Sequence, residues 1–290
     1  MTGWRFAINQ ITTPDVETGA AIDLYARHGV EGIAYWVDPV RRDGGAGALA
    51  RRARDAGLFA ASLCTSAWMT GENRAGALDE NRRRLDMAAE LGAPVLVMVV
   101  GGASETHRNI ALDRAEVADL LAALVPHAQA CGTRIGLEPL HPMYAASRSC
   151  LNTYRQCHDL MQQLGHMAAM VPDIYHCWWD PEFLPALAAT HPRRIATFHL
   201  CDWLADTRNF QDRGMVGDGV ADIDGALATL AATGYDGDFE LELFSSLDWW
   251  QRPAEDTVRI AMERCAPLIT KHKKIRQADP EDEKPTPTKV

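Results

Sequence analysis

The run Pro94-Val95-Leu96-Val97-Met98-Val99-Val100 is apolar throughout, and Gly92 stands just before it, where a helical pattern ends. A strand that is apolar at every position is typically buried on both faces, as the strands of parallel sheets are. The run is also far shorter than the roughly 20 apolar residues that a bilayer span needs. It therefore predicts an inner strand of an α/β protein and not a membrane segment.

Seven further β-rich runs alternate with segments in which apolar residues recur every three or four positions. The predicted strands begin about every 33 residues, which is the length of one βα unit. Eight such units in residues 1–270 predict a single (β/α)8 TIM barrel. The eight predicted strands are Phe6–Gln10, Gly32–Trp36, Phe59–Cys64, Pro94–Val100, Arg134–Glu138, Ala169–Asp173, Ile195–Leu200 and Asp238–Phe244.

The end of the chain has a different composition from the rest. Residues 271–290 are highly charged, contain three prolines and have almost no large apolar side chain. Such a segment buries too little apolar surface to offset the entropy of ordering. We therefore expect a disordered tail after the barrel domain.

The composition argues against several classes of function. Lys and Arg number 29 against 39 Asp and Glu, a formal net charge of −10, and no basic run interrupts the barrel. This balance disfavours nucleic acid and anionic membranes as partners. The seven cysteines form no CxxC pair and are typical of reduced thiols. Because the first residues also lack the order of a signal peptide, we expect a cytoplasmic protein.

The last four predicted strands end in residue types that bind metals. Active sites of such barrels form at the carboxyl ends of the strands, and the residues there are Glu138, Asp173, His199 and Glu242. Three carboxylates and an imidazole in one pocket would repel or protonate unless they shared a cation. The oxygen-rich set favours Mn²⁺, with Mg²⁺, Co²⁺ or Zn²⁺ as alternatives. Because side chains alternate along a strand, Glu240 points the same way as Glu242, one layer deeper.

Polar and aromatic residues follow the same strands in the predicted loops. His141, His176 and Arg213 lie where they would reach a substrate. Seven of the eight tryptophans fall on this predicted face, and flat apolar walls around a polar floor suit a sugar ring. The tryptophans expected to contact substrate are Trp36, Trp68, Trp178 and Trp179.

Over residues 4–268 the chain resembles the xylose isomerase-like barrel superfamily of sugar isomerases and epimerases. The resemblance implies that one divalent metal binds at Glu138, Asp173, His199 and Glu242. It also implies that Glu138 and Glu242 carry the proton, and that His176 and Arg213 hold substrate oxygens. The motifs that carry it are Glu138-Pro139, Asp173-Ile174-Tyr175-His176, His199-Leu200-Cys201-Asp202, Arg213 with Gly217-Asp218-Gly219, and Gly234-Tyr235-Asp236-Gly237 leading to Glu242.

Two other branches of this fold share features with the chain. The apurinic endonuclease branch needs further histidines where this chain has Gly101-Gly102 and Gly217-Asp218-Gly219, which argues against DNA as substrate. More loosely, residues 138–144 and Trp178-Trp179 resemble the larger subunits of bacterial C-glycoside deglycosidases. That resemblance implies 3-keto C-glycosides as substrates, a small second subunit, and His141 as an added catalytic acid or base.

Three functions remain open from the sequence. The first is a metal-dependent isomerase or epimerase that abstracts the proton α to the carbonyl of a keto sugar or keto polyol, through an enediolate. The second is a lyase in which the same enolate expels a leaving group, as in a C-glycoside deglycosidase. The third is a barrel that binds a sugar without catalysis. In each case we expect a small-molecule carbohydrate ligand and an oligomer.

Overall fold

Eight parallel strands form a nearly closed barrel in the computed structural model, which describes residues 4–277. Two further strands, β8 and β9, form a separate antiparallel pair. The strands are β1 Arg5–Asn9, β2 Gly32–Trp36, β3 Phe59–Cys64, β4 Val95–Met98, β5 Arg134–Leu137, β6 Ala168–Met170, β7 Thr197–Leu200, β8 Asp202–Trp203, β9 Arg213–Gly214 and β10 Asp238–Leu241.

The barrel strands pair in the order β6-β5-β4-β3-β2-β1-β10-β7. Parallel bridges between Met170 and Ile195 and between Asp173 and His199 connect the two ends of this sheet. The (β/α)8 TIM barrel expected from the sequence is therefore confirmed, and each of the eight predicted runs overlaps a barrel strand.

Helices follow the strands and cover the outside of the barrel. Three of the longer helices end at Gly92, Gly132 and Gly234, whose φ angles of 76° to 79° favour glycine. The helices are α1 Thr18–Arg27, α2 Val37–Arg42, α3 Ala46–Asp55, α4 Arg74–Leu91, α5 Ile110–Cys131, α6 Tyr154–Leu164, α7 Ile174–Cys177, α8 Phe183–Ala189, α9 Ile223–Thr233 and α10 Ala254–Gln277. None of the helices in the described part of the chain is long and apolar enough to span a bilayer.

Strand β4 shows why its sequence is apolar at every position. Leu96 and Met98 pack in the main core between sheet and helices, whereas Val95 and Val97 belong to a separate buried cluster. Because side chains alternate, this second cluster lies inside the barrel. Both faces of the strand are therefore buried, as expected for a parallel sheet.

Helix α10 extends beyond residue 270, where the composition placed the end of the barrel domain. Lys271 and His272 both contact Asp224 at the start of α9, at 2.9 and 2.7 Å, and His272 is buried. Lys271 and His272, which the composition assigned to a disordered tail, are therefore held in α10 by these contacts. Residues 278–290, which make up the rest of the predicted tail, lie outside the described residues.

Candidate metal centre and substrate cavity

Four side chains converge at the carboxyl end of the barrel: Glu138, Asp173, His199 and Glu242. All four are buried, and one ligand atom from each lies within 4.8 Å of every other. Ligands on opposite sides of a cation, with bonds of roughly 2.0–2.6 Å, are about 4 to 5 Å apart. The structure thus brings together the four residues singled out in the sequence, in a space the size of one coordination sphere.

The barrel strands place these residues side by side. Glu138 directly follows β5, and Asp173 caps α7 by accepting a hydrogen bond from the Tyr175 N–H at 2.8 Å. His199 lies within β7. Glu242 directly follows β10, which pairs with β7. Neighbouring strand ends therefore supply the cluster, as parallel pairing requires.

The arrangement of Glu138 and His199 suits two ligands of one cation better than a hydrogen bond between the two side chains. Glu138 Oε1 and His199 Nδ1 are 2.9 Å apart, yet neither buried atom has a hydrogen-bond partner in the described structure. Buried polar atoms without a partner carry a free-energy cost. A divalent cation bound between carboxylate and imidazole would satisfy both atoms.

Glu240 lies directly behind His199, one layer deeper in the barrel. Its Oε2 atom is 3.2 Å from His199 Nε2, an electrostatic contact outside hydrogen-bond geometry, and accepts a hydrogen bond from Ser62 Oγ at 2.9 Å. A carboxylate at this nitrogen favours the ring tautomer whose Nδ1 lone pair is free for a metal. The alternation along β10 predicted the direction and depth of Glu240 but not its contacts with His199 and Ser62.

We therefore expect Glu240→Gln to weaken metal binding although Glu240 is not one of the four converging residues. The amide removes the negative charge that holds the proton on His199 Nε2, and loss of such a partner typically costs 10- to 100-fold in metal affinity. Isothermal titration with Mn²⁺ measures the change. Glu31→Gln, which alters an exposed carboxylate at the opposite end of the barrel, serves as the control. Equal affinities in the two variants would contradict the role of Glu240.

Arg213 joins two of the four converging residues. Its Nη1 atom lies 2.9 Å from Asp173 Oδ2 and 3.0 Å from Glu242 Oε2. The guanidinium carbon lies 4.3 Å from the ring centre of Tyr175 and 4.8 Å from that of Phe244. Arg213 therefore lies within the cluster and offsets part of its negative charge.

His176 lies beside Arg213 and is also buried. Its Nε2 atom is 3.2 Å from Arg213 Nη2, and its ring meets Tyr144 edge-on at 5.4 Å. Burial, and then the nearby Arg213 charge, lower the pKa of His176 well below the ordinary value. A neutral His176 follows, and its buried Nδ1 atom has no hydrogen-bond partner in the described structure.

The two glutamates of the cluster differ in acidity. Burial and the Glu242 charge raise the pKa of Glu138 to about 7. Burial also acts on Glu242, but Arg213 and His199 together hold its pKa at about 2. For Asp173, burial outweighs Arg213 and raises the pKa to about 6. Glu138 is therefore the carboxyl best matched to proton exchange near neutral pH.

These pKa shifts predict that metal affinity depends on pH. A carboxyl must lose its proton to bind a cation, so protons compete with the metal at Glu138 below about pH 7 and at Asp173 below about pH 6. We expect the apparent affinity for Mn²⁺ to fall about tenfold per pH unit for each competing proton. Titration calorimetry between pH 8 and pH 5.5 measures this slope. Constant affinity across that range, or an increase towards acid pH, would contradict it.

A cavity opens onto the cluster. Trp36 and Trp68 line it, whereas His141, Trp178 and Trp179 are not among the described residues that do so. Lining residues that sequence reasoning missed include Tyr144, Arg148, Phe210 and Phe244. Tyr144 and Arg148 lie between β5 and α6, several residues from any strand end, where no periodic pattern marks them. Phe244 ends the eighth predicted strand but was not expected to contact substrate.

The other three predicted contact residues form an aromatic group beside the cavity. His141 stacks on Trp203 at 4.8 Å, and its Nδ1 atom accepts a hydrogen bond from the Met143 N–H. Trp178 packs on Trp203 at 5.4 Å, and Trp179 donates a hydrogen bond from Nε1 to the backbone of His176. This group therefore supports the short helix α7, which carries His176.

A second potential metal-binding group lies on the outer helices. His127 and Cys131 on α5 approach Asp86 on α4, and His127 Nε2 is 2.8 Å from Asp86 Oδ1. All three side chains are partly or fully exposed. This group is more exposed than the central cluster, and none of its residues is among the described residues that line the cavity.

Comparison with known proteins agrees with this architecture. A profile of the xylose isomerase-like TIM barrel family matches residues 22–267. A solved structure of protein SMc04130 from Sinorhizobium meliloti 1021 is 39% identical, with a TM-score of 0.87, covering 91% of this chain and 98% of that one. The IolI protein with a bound zinc atom has the same fold, at 20% identity and a TM-score of 0.81, covering 92% of this chain and 99% of that one.

Among characterised relatives, an inosose isomerase of Bacillus licheniformis is 26% identical over 171 residues, which is 56% of this chain and 58% of that enzyme. The match thus spans little more than half of that isomerase. The family profile, in contrast, covers most of the barrel. The chain belongs to the xylose isomerase-like TIM barrel family.

Proposed function

We propose that the protein is a divalent-metal-dependent isomerase or epimerase of a keto sugar or keto polyol. The observation that carries the proposal is the convergence of Glu138, Asp173, His199 and Glu242. Two of them, Glu138 and Glu242, line an open cavity. A relative over part of the chain, from B. licheniformis, is named an inosose isomerase, and an inosose is a keto polyol.

The donor set of the cluster supports Mn²⁺ as the first choice of metal. Three carboxylates and one imidazole suit Mn²⁺, while Mg²⁺, Co²⁺ and Zn²⁺ remain compatible with the same ligands. Zinc is the metal bound in the IolI structure, which shares the fold. When bound, a divalent cation supplies Lewis-acid stabilisation of the negative charge that develops on the substrate carbonyl oxygen.

Glu138 and Glu242 are the proton carriers in this proposal. Glu138, which lines the cavity, accepts the proton α to the carbonyl. Glu138 can return this proton to the neighbouring carbon. For delivery to the opposite face, Glu242 first takes up a proton from solvent and then donates it, and Glu138 releases its own proton to solvent. Return to a different position gives isomerisation, and return to the other face gives epimerisation.

Arg213 and His176 orient the substrate. Arg213 Nη1 is committed to two carboxylates, but its buried Nε atom has no hydrogen-bond partner in the described structure. His176 Nδ1 is likewise unpaired among the residues described. Because unpaired buried donors and acceptors are costly, hydroxyl oxygens of a sugar would be bound favourably at these two atoms. Trp36 and Phe244 meet at 5.7 Å and supply an apolar wall that excludes water.

Elimination by a lyase would start from the same proton abstraction. It would need an added acid for the leaving group, and His141, the residue expected in that role, is not among the described residues that line the cavity. Its Nδ1 atom already accepts a hydrogen bond. The position of His141 therefore does not favour elimination over isomerisation, although one relative, a 3-dehydroshikimate dehydratase of Pseudomonas putida that is 29% identical over 58% of this chain and 26% of that enzyme, is named for an elimination.

Exchange with heavy water tests the proposed function. Ketoses, inososes and 3-keto-glycosides are incubated in D₂O with the Mn²⁺-loaded protein and followed by NMR. We expect a substrate whose α proton exchanges with solvent, with a carbon skeleton that stays intact and exchange that stops on chelation. Release of a fragment identifies the lyase instead. Metal binding without deuterium exchange on any compound would overturn the proposal.

Size-exclusion chromatography of the same sample tests whether the protein is an oligomer, as expected, and whether a small second subunit is present.

A further inference from the structure

Arg148 is a cavity residue that the proposed mechanism does not use. It lies in the loop between β5 and α6, and its half-buried side chain lines the same cavity as Glu138 and Glu242. It also lines an outer groove that continues from the cavity mouth and contains Trp68 and Phe210. Arg148 therefore stands between the metal-binding end of the cavity and its opening.

The guanidinium of Arg148 has no counter-ion among the described residues. Its observed contacts are to aromatic rings, with Cζ 5.1 Å from the centre of Phe210 and 5.9 Å from that of Tyr144. Other arginines nearby are paired, Arg213 with two carboxylates and Arg208 with Asp212 at 2.6 Å. A partly desolvated cation without a partner is unfavourable, so a ligand anion would bind it readily.

The backbone around Arg148 is held in place. The Gly101 N–H donates to the Arg148 carbonyl at 2.8 Å, and the Cys150 N–H donates to the Gly101 carbonyl at 2.8 Å. Next to it, a side chain at Gly102 would place its Cβ 2.4 Å from the Ala146 carbonyl carbon, so the loop packs against Gly102 as closely as glycine allows. This close contact gives a structural role to the glycine pair that follows β4.

The aromatic contacts also fix the side chain. The Tyr144 hydroxyl donates to the Phe210 carbonyl at 2.9 Å, which ties the two loops that supply these rings. A guanidinium that lies against aromatic rings keeps the N–H donors in its own plane available. Such a fixed fork matches the two oxygens of a carboxylate or a phosphate.

We propose that Arg148 is the anion-binding residue of the substrate site, and that the substrate is a keto sugar bearing a carboxylate or a phosphate. The carbonyl and hydroxyl end of that substrate faces the four-residue cluster, and its charged end binds Arg148 at the outer part of the cavity. This inference rests on the proposed function for the identity of the reacting end. The charge preference itself rests on Arg148 alone.

Three compounds with one carbon skeleton test the proposal. Fructose, fructuronate and fructose 6-phosphate differ at C6, which is neutral, a carboxylate or a phosphate, so they separate the two sources of charge. Binding to the Mn²⁺-loaded protein is measured by calorimetry, and solvent deuterium incorporation is measured in parallel. We expect at least one charged compound to bind roughly 10- to 100-fold more tightly than fructose, the range for a hydrogen-bonded charged pair.

Variants at Arg148 supply the decisive comparison. Arg148→Met keeps the aliphatic stem and should remove the preference for the charged compound while changing fructose binding less than about threefold. Arg148→Lys, which keeps the charge without the fork, should retain part of the preference. Arg155→Met removes an exposed arginine that is 3.8 Å from Glu182 and should leave every value unchanged.

The outcomes separate this inference from the proposed function. Equal binding of all three compounds by the wild-type protein, or a preference that survives Arg148→Met, would overturn the anion site. Charge-dependent binding without any deuterium exchange would keep the anion site and count against the proposed isomerase. Deuterium exchange without any preference for the charged compounds would support the proposed isomerase and overturn the anion site at Arg148.

Discussion

Replacing Glu242 with glutamine is expected to abolish tight metal binding and to lower kcat/KM by about 10³-fold or more. The change removes a charged ligand of the cluster and one of its two proton carriers, and loss of a general acid or base alone costs about 10²- to 10⁴-fold. It also removes one of the two carboxylates that hold Arg213 Nη1. Metal content after dialysis and deuterium exchange rates measure the two effects.

A matched carboxylate away from the site controls for the loss of a charge. Glu182→Gln changes an exposed side chain that is 3.8 Å from Arg155, and it should leave metal content and exchange unchanged. Because the amide is close in size to the carboxylate, Glu242→Gln should remain folded. Full metal content and unchanged turnover in this variant would show that Glu242 has neither role.

Replacing Arg213 with methionine is expected to destabilise the metal-free fold by about 3 to 5 kcal/mol. The substitution leaves the buried carboxylates of Asp173 and Glu242 without the cation that pairs with both, and breaking a buried pair from one side has a cost of this size. Urea denaturation of the metal-free protein measures the change in the free energy of unfolding. Saturating Mn²⁺ should recover part of the loss, because a bound cation offsets the same two carboxylates.

An exposed arginine provides the comparison. Arg259 on α10 pairs with Glu263 at 2.8 Å and is 48% exposed, so Arg259→Met should change the free energy of unfolding by less than about 0.5 kcal/mol. If Arg213→Met costs no more than this control, Arg213 does not hold the cluster together. The Arg213 charge would then also fail as a cause of the low pKa of Glu242.

The sequence predicts the barrel and the convergence of its strand ends well, because regular geometry links sequence position to direction in space. Residues two apart on a strand share a face, which placed Glu240 behind Glu242. Parallel strands end at one edge, which brought Glu138 close to His199. These relations need no knowledge of distant contacts.

The loops could not be predicted in the same way. Whether a side chain reaches the cavity depends on contacts between residues far apart in sequence, such as the hydrogen bond from Tyr144 to the Phe210 carbonyl. Arg148 therefore went unnoticed, whereas His141 and Trp178 were expected in the cavity and instead pack beside it against Trp203. The helical residues after position 270 are a similar case, since their order depends on packing against α9.

Anomalous diffraction from crystals grown with Mn²⁺ is the sharpest test of the proposed metal centre, because it locates the cation without reference to activity. We predict one strong peak in contact with Glu138, Asp173, His199 and Glu242, and its loss in crystals of Glu242→Gln. Absence of a peak among these residues, or a peak only at Asp86, His127 and Cys131 on the outer helices, would contradict the assignment.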